Sequence, residues 1–117
     1  MVVSQGDVFW VVLPEPVGSE PGFRHPHVVV QNNVFNRGRI STVVLCAITS
    51  NLKWSSAPGN VRLRRGEANL PSSSVVNISQ VLTVNKSDLI QKIGQLSKRR
   101  MEEIVEGFQV LIKPRLL

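Results

Sequence analysis

A small, strongly bent antiparallel β domain closed by one C-terminal helix, mainly β within the α+β class, is what this sequence predicts. Three observations carry that reading. Short β-branched and aromatic runs recur between turns rich in proline and glycine. One run, residues 42–48, is apolar almost throughout, as expected of a central strand with both faces covered. Helical spacing appears only after Ser97. A chain of 117 residues buries one modest core, so residues 1–117 are read as a single domain.

The first strand is predicted over residues 8–13, where Pro14 ends it. Residues 14–23 hold three prolines and two glycines, which exclude regular structure and give a long connection of the kind that often carries function. Pro26 biases His25 toward extended geometry and leads into a second strand over 28–30, which closes at Gln31-Asn32-Asn33. After the central run come shorter strands at 61–63 and 75–81, separated by Pro58-Gly59, Gly66 and Pro71. Ser87 is read as the cap of a single helical turn before a strand over 90–96. Met101, Ile104, Val105, Phe108, Leu111 and Ile112 then recur at helical spacing, with Ser97 as N-cap and Pro114 as terminator. This amphipathic helix is expected to cover one side of the sheet.

Composition narrows the function classes. The hydrophobic fraction of 42% with 19% charged residues is that of a folded globular chain. Fourteen Lys and Arg against eight Asp and Glu give a formal charge of +6, a field that attracts polyanions: nucleic acid, an acidic protein segment or an anionic membrane. Cys46 is the single cysteine, so neither an intrachain disulfide nor a cysteine metal site can form, and a reducing cytoplasm suits it. Residues 1–7 lack a signal-peptide pattern, and no segment approaches the roughly 18 apolar residues of a membrane span. His25 and His27 have no Cys, Asp or Glu at ligand spacing, and Gly18-Ser19-Glu20-Pro21-Gly22 lacks the lysine and following helix of a phosphate loop. No metal or cofactor is expected.

Phe23-Arg24-His25-Pro26-His27 places a ring, a permanent cation and titratable imidazoles where the stiff connection meets a strand. Cleaving RNA through its own 2′-hydroxyl requires a group to take that proton, a cation on the phosphate and a proton for the leaving oxygen. Histidine titrates near neutrality while a guanidinium stays charged and matches phosphate oxygens, so His25 suits proton transfer and Arg24 suits the clamp. Extended geometry would put His25 and His27 on one face and Arg24 and Pro26 on the other. The plainer account makes the histidines half-buried strand residues and Arg24 a solvated charge. Phe23 can stack a base or plug the core. Thr49-Ser50-Asn51 can bind a phosphate or cap a turn. Arg62-Leu63-Arg64-Arg65 reads as a solvated edge or a backbone-binding strip, and Lys98-Arg99-Arg100 as the outer face of the helix.

Taken together, the chain resembles the MazF/PemK family of bacterial toxin endoribonucleases. The resemblance lies in Gly6-Asp7-Val8, Gly18-Ser19-Glu20, Pro26 before Val28-Val29-Val30-Gln31-Asn32, Phe35-Asn36-Arg37, Ala47-Ile48-Thr49 and Gln80, in family order over almost the whole chain. It implies a bent antiparallel sheet or SH3-like barrel with a C-terminal helix, the MazF/PemK/CcdB type of toxin fold. It also implies a cytoplasmic homodimer that cleaves single-stranded RNA without metal, leaving a cyclic phosphate and a 5′-hydroxyl, and an acidic antitoxin that suits the positive charge. Catalysis falls to His25, Arg24 and Thr49, and RNA binding to Ser19, Glu20, Phe23, Gln31, Asn32, Asn36, Ser50 and Gln80. The chain departs from the family at His25, where many members carry an arginine; here the arginine is Arg24, one place earlier. Asn77 and Ser79 stand where one branch has an arginine and an aspartate, and Leu82 where an arginine is usual. Two alternatives remain: a non-enzymatic toxin of the same fold that grips a protein such as DNA gyrase, and a noncatalytic RNA-binding module.

Overall fold

The computed structural model describes residues 2–12 and 24–115. Strands β1 (Asp7–Val12), β2 (Arg24–Val29), β3 (Thr42–Thr49), β4 (Val61–Leu63), β5 (Ser74–Asn85) and β6 (Gln91–Gln95) form one antiparallel sheet in the order β4-β5-β3-β2-β1-β6. Helix α1 (Asn33–Asn36) is a single turn between β2 and β3, and α2 (Lys98–Ile112) follows β6. Three 3₁₀ turns, Leu52–Ser56, Glu67–Asn69 and Lys86–Asp88, punctuate the connections.

Alternation along the strands builds two apolar layers. Cys46 and Ile48 of β3 join Val8, Val28, Val76 and Ile104 on the side covered by α2. Val43 and Leu45 join Phe9, Val11, Val29 and Leu89 on the other. The central strand is therefore apolar on both faces, as its sequence run predicts. Cys46 lies fully inside, where burial pushes its thiol up to about 12, and its Sγ donates to the Asn77 carbonyl at 3.1 Å.

The sheet bends at β5. Cys46 pairs with Val81 and Ile48 with Val76, so residues 77–80 stand against Ala47 alone. Such a bulge sharpens the local twist and leaves ladder groups to be satisfied elsewhere. Asn60 supplies that satisfaction: its Oδ1 accepts from the Ile78 N–H at 2.9 Å. β5 also runs on to Asn85, four residues past the predicted end, because Leu82 to Asn85 alternate half-buried and exposed and pair with residues 42–45.

Curling brings the two sheet edges toward each other without a closed barrel: among the described strands β4 and β6 do not pair. The turn Glu67–Asn69 spans the gap. Ala68 and Asn69 adopt left-handed backbone at φ 51° and 60°, and Asn69 Nδ2 donates to the Ile93 carbonyl of β6 at 2.9 Å. A Cβ at Gly94 would stand 2.5 Å from the Ala68 carbonyl oxygen, so only glycine permits this approach. From α2, Arg100 holds the same turn by a forked pair with Glu67, both contacts at 2.9 Å, which keeps the Glu67 carboxyl below its usual range.

Ser97 caps α2, its Oγ accepting from the Arg100 N–H at 3.2 Å, and Met101, Ile104 and Gly107 face the sheet with Phe108 at the margin. The buried stripe is narrower than the spacing suggested, for Val105, Leu111 and Ile112 are exposed. Gly107 packs backbone to backbone on Gly59, which fixes the crossing point, and the final turn lies beyond it. The turn before β6 forms as expected, yet Asn85 precedes it, with its N–H donating to Asp88 Oδ2 at 3.3 Å, rather than Ser87 capping it. Gly6-Asp7 proves structural: buried Asp7 accepts from the Ser4 N–H at 2.9 Å and pairs with Lys92 of β6 at 3.1 Å.

Gly94→Ala is expected to cost about 1–3 kcal/mol by forcing the β6 edge off the Glu67–Asn69 turn. Chemical denaturation measures it; a variant of unchanged stability would show that the contact does not hold the curl.

Candidate active site

The end of β1, the start of β2, the end of β3 and residues 70–74 meet at one end of the sheet. β1 ends at Val12 and β2 begins at Arg24, facing each other across the last pair of their ladder. Nearby, β3 ends at Thr49, and the chain between the Glu67–Asn69 turn and β5 passes alongside. Between them opens a cleft of about 290 Å³ lined by Trp10, Arg24, His25, Pro26, Ile48, Thr49, Ser50, Leu70, Pro71, Ser72 and Ser74.

Register explains how Arg24 and His25 share it. The β2–β3 ladder stops at His27↔Ala47, and two further steps along each strand put His25 level with Thr49. The β2–β3 register pairs end before that level, and both residues border the cleft. Opposite residues share a face, so His25 lies with Thr49 and Val11, whereas Arg24 lies with Val12 and Trp10. The alternation expected from sequence holds, and it places the cation and the imidazole on different walls.

Each group is oriented by named partners. Arg24 is exposed; its Cζ sits 4.8 Å from the centroid of the Trp10 ring and its Nη2 donates to Gln91 Oε1. Thr49 Oγ1 accepts from the Asn51 N–H at 3.1 Å, which leaves the hydroxyl proton to be donated to a ligand. Asn51 Oδ1 in turn accepts from the Lys53 N–H at 3.2 Å, so this stretch caps a turn and presents a hydroxyl at once. His27 is different. It is buried, its Nδ1 lies 3.1 Å from the His25 carbonyl, and burial lowers its pKa below the ordinary imidazole value. That ring is a neutral core residue.

The predicted RNA-binding residues divide. Ser50 lines the cleft. Gln31, Asn32 and Asn36 lie at the far end of β2, where their amides close the turn into β3. Gln31 Nε2 donates to Asn36 Oδ1 at 2.9 Å, Asn36 Nδ2 donates to the Gln31 carbonyl at 2.8 Å, and Asn32 Oδ1 caps α1 through the Val34 N–H at 2.8 Å. The structure does not bring these three to the cleft. Gln80 is exposed in the β5 bulge and does not line it either. Ser19, Glu20 and Phe23 fall outside the described residues. Sequence reasoning missed Trp10, Gln91 and the wall from Leu70 to Ser74; the apolar run around Trp10 and the Pro71-Ser72 turn carried no chemical pattern to mark them. Among the described lining residues there is no carboxylate; Arg24, His25 and four hydroxyl-bearing residues, Thr49, Ser50, Ser72 and Ser74, border the cleft.

Comparison with known proteins is consistent along the chain. The family model described as PemK-like, MazF-like toxin of type II toxin-antitoxin system matches residues 4–112. The chain is 38% identical over 109 residues to endoribonuclease MazF2 of Mycobacterium bovis, covering 93% of this chain and 96% of that one. It is 32% identical over 110 residues to endoribonuclease EndoA of Bacillus subtilis, covering 94% of each. Among solved structures, an endoribonuclease in complex with its cognate antitoxin from a mycobacterial species superposes with TM-score 0.75 at 21% identity, over 97% of this chain and 99% of that one. MazF from Deinococcus radiodurans superposes with TM-score 0.74 at 22% identity, with the same coverage. These last two likenesses establish the fold.

The neutral state of His27 makes stability depend on pH. Below about pH 6.5 the unfolded chain takes up a proton at this residue and the folded chain resists it, so stability falls as pH falls, by up to about 1.4 kcal/mol per pH unit. His27→Gln is expected to lose part of that dependence when denaturation midpoints at pH 7 and 5.5 are compared. Equal pH dependence in the two proteins would contradict the assignment.

Proposed function

The chain belongs to the family of PemK-like, MazF-like toxins of type II toxin-antitoxin systems, and from that membership we propose that it is the toxin of such a pair, an endoribonuclease whose chemistry takes place in the Arg24, His25 and Thr49 cleft. One observation supports the site: Arg24, His25 and Thr49 border a single cleft beyond the last β2–β3 register pair. Single-stranded RNA is the substrate because a strand free of pairing can thread such a cleft and turn its 2′-hydroxyl in line with the phosphate.

His25 takes the 2′-hydroxyl proton as the 2′ oxygen bonds to phosphorus. The bond from phosphorus to the 5′ oxygen breaks, and that oxygen takes a proton from water, leaving a 2′,3′-cyclic phosphate and a 5′-hydroxyl. Arg24 and the Thr49 hydroxyl donate to the non-bridging oxygens, where charge concentrates in the transition state. These groups need no metal. Ser50, together with Ser19, Glu20 and Phe23 from the sequence that joins β1 to β2, binds the RNA.

The antitoxin presents an acidic segment to the cleft face, which the +6 charge favours. The toxin works as a homodimer, supported by exposed Val105, Leu111 and Ile112 along α2; a monomer in sedimentation at micromolar concentration would remove that part. No helix of the described residues is long and apolar enough to cross a membrane, and we place the protein in the cytoplasm with its RNA.

Purified protein incubated with a long unstructured RNA and a metal chelator is expected to give discrete fragments with 5′-hydroxyl ends. Single-turnover cleavage should fall about 10²–10⁴-fold in His25→Ala and about 10²–10³-fold in Arg24→Ala or Thr49→Val. Full rate in His25→Ala at every pH refutes the proton-transfer role. Uncut RNA with the wild-type protein refutes the enzyme, and favours a toxin with a protein target if the cells still stop growing.

A further inference from the structure

Arg24 sits in the last pair of the β1–β2 ladder, and its side chain is exposed among the described residues. Val12 pairs with Arg24, and Trp10 with Gln91 across the other edge of β1. Because opposite residues share a face, Arg24, Trp10 and Gln91 lie on one face along a diagonal over β2, β1 and β6. Diagonal neighbours are within reach of long side chains. Arg24 uses that reach: its guanidinium lies over the Trp10 ring at 4.8 Å, and its Nη2 donates to Gln91 Oε1.

The two supports do different things. The indole face attracts a cation and fixes the plane in which the guanidinium lies. The Gln91 amide oxygen occupies one N–H and so sets the rotation within that plane, leaving other N–H groups toward the cleft. An amide also does this without cancelling the charge; a carboxylate at the same place would hold the side chain and neutralise it. Among the described residues no Asp or Glu forms an ion pair with Arg24, while Lys92 pairs with Asp7 and Arg100 with both Glu67 and Glu103.

We infer that Trp10 and Gln91 are positioning residues that hold the Arg24 guanidinium oriented at the cleft before substrate arrives. The inference rests on the reading of the cleft as an RNA-cleaving site. Holding a guanidinium in place beforehand removes the rotamer entropy that would otherwise be lost when phosphate binds.

A double-mutant cycle against Arg24→Ala tests it, read by single-turnover cleavage of a long unstructured RNA. Gln91→Ala should lower the rate roughly tenfold and Trp10→Leu roughly three- to fivefold, with Trp10→Phe restoring most of the loss. In the Arg24→Ala background neither substitution should lower the rate further. Gln91→Glu should lose at least as much as Gln91→Ala, which a merely structural residue on an exposed edge would not show. Binding of a 2′-O-methyl oligonucleotide spanning a mapped cleavage site supplies a second readout. Gln91→Ala should reduce the slope of log affinity against log salt by up to about 0.7, as Arg24→Ala does. Wild-type rate and slope in Gln91→Ala, or losses that multiply with Arg24→Ala, overturn the inference. Wild-type protein that binds this oligonucleotide but cuts no RNA overturns the catalytic reading alone, and the cycle on binding then decides the positioning roles.

Discussion

The sheet holds its curl where Gly94 of β6 lies against the left-handed turn at Ala68, with no space between the two backbones for a side chain. The rest of the molecule hangs on that approach. It spans the gap that the six strands leave open, and it carries the chain from Leu70 to Ser74 over to the end of β1 and β2. Without it the cleft would have one wall. The forked Arg100–Glu67 pair draws α2 into the same junction, so one small contact area couples the sheet edges, the helix and the site.

The site then depends on where hydrogen bonding ends. The β2–β3 pairs end two residues short of His25 and Thr49, and both residues border the cleft. Two histidines only two residues apart thereby differ in kind. His27 is enclosed and kept neutral, while His25 borders the cleft. Thr49 gains direction from a local bond to its oxygen, which leaves its proton pointing outward by elimination.

Most strands were readable from the sequence because their signals are local. Residues 42–48 showed a doubly covered strand as an unbroken apolar run, and Ser97 and Pro114 bracketed the helix. The site was half legible. Arg24, His25, Thr49 and Ser50 carry recognisable chemistry at strand ends and line the cleft. Gln31, Asn32 and Asn36 carry equally polar side chains, but a turn between antiparallel strands consumes them, and nothing in their identity distinguishes a spent amide from a free one. Trp10 and Gln91 were invisible for a further reason. Their role exists only in the register of β1 with β6, which joins residues some eighty positions apart. The breadth of the α2 face was overread because periodicity reports which residues are apolar, not where a Gly107–Gly59 crossing lets the helix leave the sheet.

The pairing of β1 with β6 also orders events in time. Non-local strand pairing is slow to form, and a growing chain folds only with what has already been synthesised. Arg24 and His25 emerge early, but Gln91, the β6 edge and the Gly94 contact belong to the last third of the chain. The cleft is therefore assembled only once β6 has been synthesised. A nascent chain carries Arg24 and His25 well before it carries the frame that surrounds them.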